Sequence, residues 1–261
     1  MTSAVSRDEL TIAGVTLELF EGGDGPPLLF LHSAQGFMPE HPFVGLLARR
    51  RRLVAPSHPG FGRSSLPLWL DSVDDIAHLY LELMDRRGLG RVDVVGCSLG
   101  GWIAADIASK VPERIAKLVL VGPVGVKVGP PDRLDIPDIL AMPQAEVTRL
   151  LFHDPEKAKI DVTRLSEEQL TIMARNREAL ALFAWEPWMH NPKLRHRLHR
   201  IGAPALFLRG ASDGLVSESY LDAYARLLPN ARTQTIAAAG HAPQVEQPDA
   251  FAAAVLQFLE A

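Results

Sequence analysis

Short β-branched runs alternating with amphipathic helical stretches predict an α/β architecture: a mostly parallel sheet with helices on both faces. Two further observations sharpen this expectation. Three residues with chemical potential, Ser98, Asp213 and His241, each fall just after a strand-like run, so one carboxyl edge of the sheet would collect them. The alternation breaks once, between about 123 and 200, which places a helical insertion after the sixth strand.

Taken in order, Leu10 to Ile12 and Val15 to Phe20 open as an antiparallel hairpin. Strands then fall near 28–32, 52–56, 92–96, 115–121, 203–209 and 232–236, with helices near 73–87, 98–111, 217–228 and 248–259 between most of them. The body of the fold is therefore expected from 1–122 and 201–261, and the insertion from 123–200. Gly125, Gly129, Pro130 and Pro131 mark the exit from the sheet. Beyond them Ser166-Glu167-Glu168-Gln169 is a capping box, opening a helix that runs to about Ala184. Arg49-Arg50-Arg51-Arg52 closes a helix and enters a strand, a place where cations favour the helix dipole.

The composition is that of a packed globule: 261 residues, 47% hydrophobic and 22% charged. A chain of this length buries enough surface for a large core, and α/β folds of this size commonly form one unit. A net charge of −4 argues against nucleic acid as a partner. The sequence has no apolar run long enough to span a bilayer, and the segment from Met1 to Glu9 lacks the apolar stretch of a secretory signal. The single cysteine, Cys97, suits a reducing cytoplasm and is expected in the core as a small hydrophobe. The cytoplasm is accordingly the expected location.

Gly96-Cys97-Ser98-Leu99-Gly100 lies between a β-branched run, 91–95, and an apolar helical stretch, 101–108. That is the strand, sharp turn and helix of a Gly-x-Ser-x-Gly nucleophile elbow, in which small residues two before and two after the serine prevent clashes. A serine hydroxyl needs a base and a carboxylate that orients the base. Asp213 sits in the turn leaving the strand at 203–209, with a rival reading as an Asx-turn residue beside Gly214. His241 follows the last strand in a loop of small residues. The segment after the strand at 115–121, Gly122-Pro123-Val124-Gly125, contains no competing carboxylate. The chain order Ser, Asp, His belongs to one architecture in particular.

The chain resembles the lidded, single-domain serine hydrolases of the α/β-hydrolase fold superfamily, a group of esterases, lactonases and carbon-carbon bond hydrolases. The resemblance covers nearly the whole chain. It rests on the elbow, on Leu31-His32-Ser33-Ala34-Gln35-Gly36, on Pro56-Ser57-His58-Pro59-Gly60-Phe61-Gly62-Arg63-Ser64 and on Gly240-His241-Ala242-Pro243. It implies Ser98, Asp213 and His241 as catalytic residues and the backbone N–H groups of Ala34 and Leu99 as an oxyanion hole. Ser33 stands where the family usually has Gly, and Ser57 where it usually has Asp. The insertion would be a lid covering the serine. Phe183, Trp185 and Trp188, together with Ser33, are its expected substrate-binding residues, giving a mainly hydrophobic pocket.

The implied reaction is cofactor-free acyl transfer on a small hydrophobic ester or lactone. Carbon-carbon hydrolysis of a meta-cleavage product is the alternative, although that group typically has Trp directly after the catalytic His and this chain has Ala242. A hydrolase-like ligand receptor with little turnover is a further one. No dinucleotide fingerprint, phosphate-cradling loop or zinc motif appears. His190, His196 and His199 lie among basic residues without a carboxylate or cysteine partner set, the pattern of a solvated basic face.

Overall fold

The structure is a computed structural model that describes residues 4–156 and 158–261. Residues 1–3, part of the segment read for a secretory signal, lie outside the described residues. Strands β1 (Ser6–Ile12) and β2 (Val15–Gly22) pair as a hairpin, and the turn at Ala13 and Gly14 has φ of 50° and 79°. Two successive left-handed residues twist the turn to match the strands, and the second is the glycine that bears this best.

Six more strands follow: β3 (Pro27–Leu31), β4 (Arg52–Pro56), β5 (Val92–Cys97), β6 (Ile115–Val121), β7 (Ala205–Gly210) and β8 (Ala231–Ile236). The sheet order is β1-β2-β4-β3-β5-β6-β7-β8, with β3 to β8 parallel and β2 antiparallel to β4. β3 turns back to β4, whereas β5 starts on the other flank of β3. The carboxyl ends of β3 and β5 therefore flank the topological switch point, where open α/β sheets bind ligands.

Both faces of the central strands are buried, and alternate residues divide between two cores. Leu29, Leu31, Val94, Leu120 and Phe207 face helices α2 (Val73–Arg86), α3 (Leu99–Lys110) and α6 (Glu218–Ala225). Leu28, Phe30, Val95, Val121 and Leu208 face α1 (Pro42–Ala48) and α8 (Pro248–Glu260). Cys97 joins the second core, and burial pushes its thiol pKa up. That makes it an inert packing group.

The arginine run acts differently from the dipole expectation, because α1 ends at Ala48 and only Arg49 caps it. Arg50 pairs with Glu260 at 3.0 Å, and Arg52 donates to the Arg87 carbonyl. Arg51 turns inward to Asp93 at 2.7 Å, a nearly buried pair in which burial still raises the Asp93 pKa.

Between β6 and β7 the chain leaves the sheet and forms α4 (Gln144–Leu151) and α5 (Glu167–Ala184). Ser166 and Gln169 make the capping box of α5 reciprocally, as the sequence pattern requires. After β8 come a single helical turn, α7 (Pro243–Glu246), and α8. Among the described residues no helix is long and apolar enough to cross a membrane.

Candidate active site

Ser98 ends β5 and starts α3 with φ 53° and ψ −113°, a conformation that L residues avoid. Its neighbours make the bend possible. A Cβ on Gly96 would lie 2.3 Å from the Gly100 carbonyl oxygen, and one on Gly100 would lie 2.2 Å from that of Leu31. Only hydrogen fits at either place, so the elbow fixes two glycines and aims the serine away from the sheet. The Ser98 N–H donates to the Val121 carbonyl at 2.8 Å, tying the bend to the neighbouring strand.

Asp213 follows β7 and His241 follows β8. The carboxylate of Asp213 is fully buried, and Oδ2 accepts from Nδ1 of His241 at 2.9 Å. Its other oxygen accepts from the N–H groups of Leu215 and Val216, both at 2.9 Å. The two readings of Asp213 are thus compatible: one oxygen holds an Asx-type turn and the other holds the histidine. Gly122, at φ 48°, abuts the pair, and a Cβ there would come 3.0 Å from the imidazole. With Nδ1 donating to Asp213, Nε2 is the basic nitrogen, and it is buried without a hydrogen-bond partner among the described residues.

Ser98 and His241 line one cavity of about 40 Å³. The remaining walls are mainly apolar: Leu99, Ile139, Leu151, Leu180, Met189 and Leu215. Ser33, Ala34 and Gln35 close it on the β3 side, and no lysine or arginine lines it. Ser33, read in the sequence as substrate-binding, lines this cavity. Phe183, Trp185 and Trp188, read as its aromatic lining, are not among the residues that line it. Phe183 is buried in the larger core, while Trp185 is 53% exposed and stands edge-on to Trp188. The Trp188 indole N–H is held by the Ile136 carbonyl at 2.9 Å. The physical reason is position along the chain: Trp185 and Trp188 follow the end of α5 at Ala184, and Phe183 lies nearly one turn beyond Leu180 on the same stripe. The inward stripe of α5 runs Asn176, Ala179, Leu180 and Phe183, and only Leu180 of these reaches the cavity.

Three features beside the site were not read in the sequence. His32 stacks on His58 with ring centroids 3.7 Å apart, both rings buried. His58 donates its backbone N–H to Nε2 of His32, and Nε2 of His58 donates to the His32 carbonyl, both at 2.9 Å. His32 must then carry its proton on Nδ1, which donates to the Ser33 carbonyl at 2.6 Å. Tyr80 completes the chain by donating to Nδ1 of His58 at 2.7 Å. Burial lowers the His32 pKa to about 4 and that of His58 well below 6.5, so both rings are neutral at pH 7. The Ser33 carbonyl and the Ala34 N–H share one peptide plane and point oppositely. Fixing the carbonyl, which also accepts from the Gly36 N–H at 3.0 Å, therefore fixes the direction of the Ala34 N–H.

The second feature is Asn176, buried on α5. It donates to the Gln35 carbonyl and accepts from the Gly62 N–H, both at 3.0 Å, joining the loops after β3 and β4. At Ser57 the carboxylate usual in the family is replaced from elsewhere: the hydroxyl donates to buried Glu18 of β2 at 2.8 Å, and the Arg63 N–H donates to the same oxygen.

The third feature is Glu246. One carboxylate oxygen accepts from the N–H groups of His153 and Asp154, and the other from that of Gly240. The His241 N–H donates to the Leu151 carbonyl at 2.7 Å, and the Gly214 N–H to that of Leu150 at 3.0 Å. The end of α4 is therefore clamped to both the acid and the histidine loops.

Residues 26–248 match the family model for the alpha/beta hydrolase fold. The chain belongs to the α/β-hydrolase family. It is similar to the 2-hydroxy-6-oxononadienedioate/2-hydroxy-6-oxononatrienedioate hydrolase of Burkholderia vietnamiensis, with 31% identity over 80% of this chain and 76% of that enzyme. It is also similar to the pimeloyl-[acyl-carrier protein] methyl ester esterase of Nitrosomonas europaea, at 29% identity over 88% and 94% of the two chains. A solved structure of 2-hydroxy-6-oxo-6-phenylhexa-2,4-dienoate hydrolase from a Rhodococcus strain superposes with a TM-score of 0.78 at 22% identity, covering 100% of both chains. This α/β hydrolase thus shares its fold with esterases and carbon-carbon bond hydrolases, and is itself a hydrolase. Among its described residues no group of three or more His, Cys, Asp or Glu is placed to hold a metal ion.

Proposed function

We propose that this hydrolase cleaves small, uncharged, mainly apolar esters or lactones through an acyl-enzyme on Ser98. The observation that carries the reading is the cavity shared by Ser98 and His241, whose other walls are apolar or neutral. Nε2 of His241 removes the Ser98 proton as Oγ attacks the carbonyl carbon, and Asp213 holds the imidazole in the required tautomer. The resulting oxyanion accepts from the N–H groups of Ala34 and Leu99, aimed by the β3 loop and the start of α3. His241 returns the proton to the leaving alcohol or ring oxygen. It then deprotonates a water that attacks the acyl carbon, and the acid leaves as Ser98 regains its hydrogen. The segment 123–200, with α4 and α5 over the site, is proposed to act as the lid that excludes other water during these steps.

A second reading, carbon-carbon hydrolysis, is favoured by the names of several relatives. A dienoate carries a carboxylate, and burying it needs a cation or several donors. The cavity offers no lysine or arginine, and Ala242 follows His241. A panel of chromogenic acyl esters, lactones and a 2-hydroxy-6-oxo-dienoate decides between the readings. Ester or lactone turnover exceeding dienoate cleavage by at least tenfold is expected. The reverse order would give the site to the carbon-carbon reaction, and tight binding without turnover would make the protein a receptor.

A further inference from the structure

Met189 lies in the left-handed region at φ 53°, yet it is neither glycine nor asparagine. An unbranched residue held there costs about 1 kcal/mol or more and persists only where its surroundings over-determine it. Here they do. The Met189 N–H donates to the Ala184 carbonyl at 2.8 Å, and its own carbonyl accepts from the Gly125 N–H at 2.9 Å. The Asn191 N–H then donates to the Gly125 carbonyl at 3.0 Å, so Met189 and Asn191, on either side of His190, both bridge to the start of the insertion. Gly125 is itself pinned, because a Cβ there would lie 2.3 Å from the Trp102 ring on α3, one turn from Ser98.

The product of this bracing is a side chain that is 4% exposed and forms a wall of the serine cavity. By contrast the neighbouring aromatic groups, Trp185 and Trp188, do not line it. With only about 40 Å³ free, the cavity holds roughly three water-sized groups. Among the apolar walls Met189 carries the unbranched, flexible side chain, so its reach changes the room left beside Ser98.

We propose that Met189 sets the length of the apolar chain that substrates can carry, restricting the hydrolase to short acyl or alkyl groups. This rests on the proposed role of Ser98. Removing the Met189 side chain beyond Cβ frees the room of about three chain atoms, and each methylene newly buried favours a substrate by about fourfold. In Met189→Ala the best chain length should move up by two to three carbons. In Met189→Gly it should move further, and there the left-handed backbone is no longer strained, which guards against misfolding.

The measurement is kcat/KM over p-nitrophenyl acyl esters from acetyl to octanoyl and over acetate esters of lengthening n-alcohols. Labelling rates with n-alkyl phosphonates of the same lengths accompany it, with Trp185→Ala as a control. A shift toward longer chains in either ester series and in labelling, absent in Trp185→Ala, is the expected result. Labelling of Ser98 in every variant with unchanged length dependence would overturn the role of Met189 alone. Absence of labelling in the wild type would overturn the nucleophile assignment and this inference with it.

Discussion

At the scale of single residues, the histidine-acid pair is arranged so that its two members depend on each other. Asp213 has no remaining oxygen to spare: one holds the turn at Leu215 and Val216, the other holds Nδ1 of His241. Asp213→Asn keeps the shape but presents an amide where an acceptor is needed, which favours the wrong imidazole tautomer. Turnover of the best ester should fall by about 10³ to 10⁴-fold. Combining it with Ser98→Ala should add little to the loss from Ser98→Ala alone, since the three groups act as a unit. Multiplicative losses in steady-state kinetics would show that Asp213 is not part of that unit.

Individual secondary-structure elements place those residues, and here the α5 helix has a task that its sequence does not advertise. Asn176 is its one buried polar residue, and it spans the loops after β3 and β4. Asn176→Ala would orphan the Gln35 carbonyl and the Gly62 N–H, at a cost of about 1–3 kcal/mol in stability. It would also loosen the loop that carries Ala34. We expect kcat to fall about tenfold or more with KM little changed, and Asn176→Asp, which keeps the acceptor for Gly62, to recover part of the stability. A drop in melting temperature with kcat unchanged would limit Asn176 to a structural role. The strands and the ends of α3 and α5 were legible in the sequence because they are written locally, in apolar periodicity, the elbow glycines and the Ser166 capping box. The placement of Ser98, Asp213 and His241 just beyond β5, β7 and β8 was equally legible. The functions of Asn176, Glu246 and the stacked His32 and His58 were not, since each depends on partners tens of residues away. The aromatic residues of the 123–200 segment lie off the cavity for a related reason: being large and apolar identifies burial, but position along α5 and beyond its end decides which cavity a side chain meets.

Across the whole molecule, the neutral histidine pair links stability to pH. An unfolded chain protonates histidine near pH 6.5, whereas folded His32 does so only at about 4. Between these values the unfolded state binds a proton that the folded state does not. The stability due to each neutral ring is complete above about pH 6.5 and is lost as pH falls, by about 1.4 kcal/mol per pH unit per histidine. Asp93 and Asp106, whose pKa values burial raises, act in the opposite sense. His58→Gln retains hydrogen-bonding groups but cannot titrate. Urea unfolding at pH 7, 5.5 and 4.5 should therefore show a shallower acid loss in this variant than in the wild type. Parallel losses would mean that the buried pair is not what makes the fold acid-sensitive.

The central claim is that the strained serine at the switch point is a covalent nucleophile. Its most direct test is intact-mass analysis after treatment with a fluorophosphonate, on the wild type and on Ser98→Ala. One adduct per chain should form in the wild type, mapping to the peptide that contains Ser98. None should form in Ser98→Ala, whose ester turnover should drop by about 10³-fold or more while its fold survives. An adduct on another residue, or more than a tenth of wild-type turnover in a clean Ser98→Ala preparation, would contradict the account.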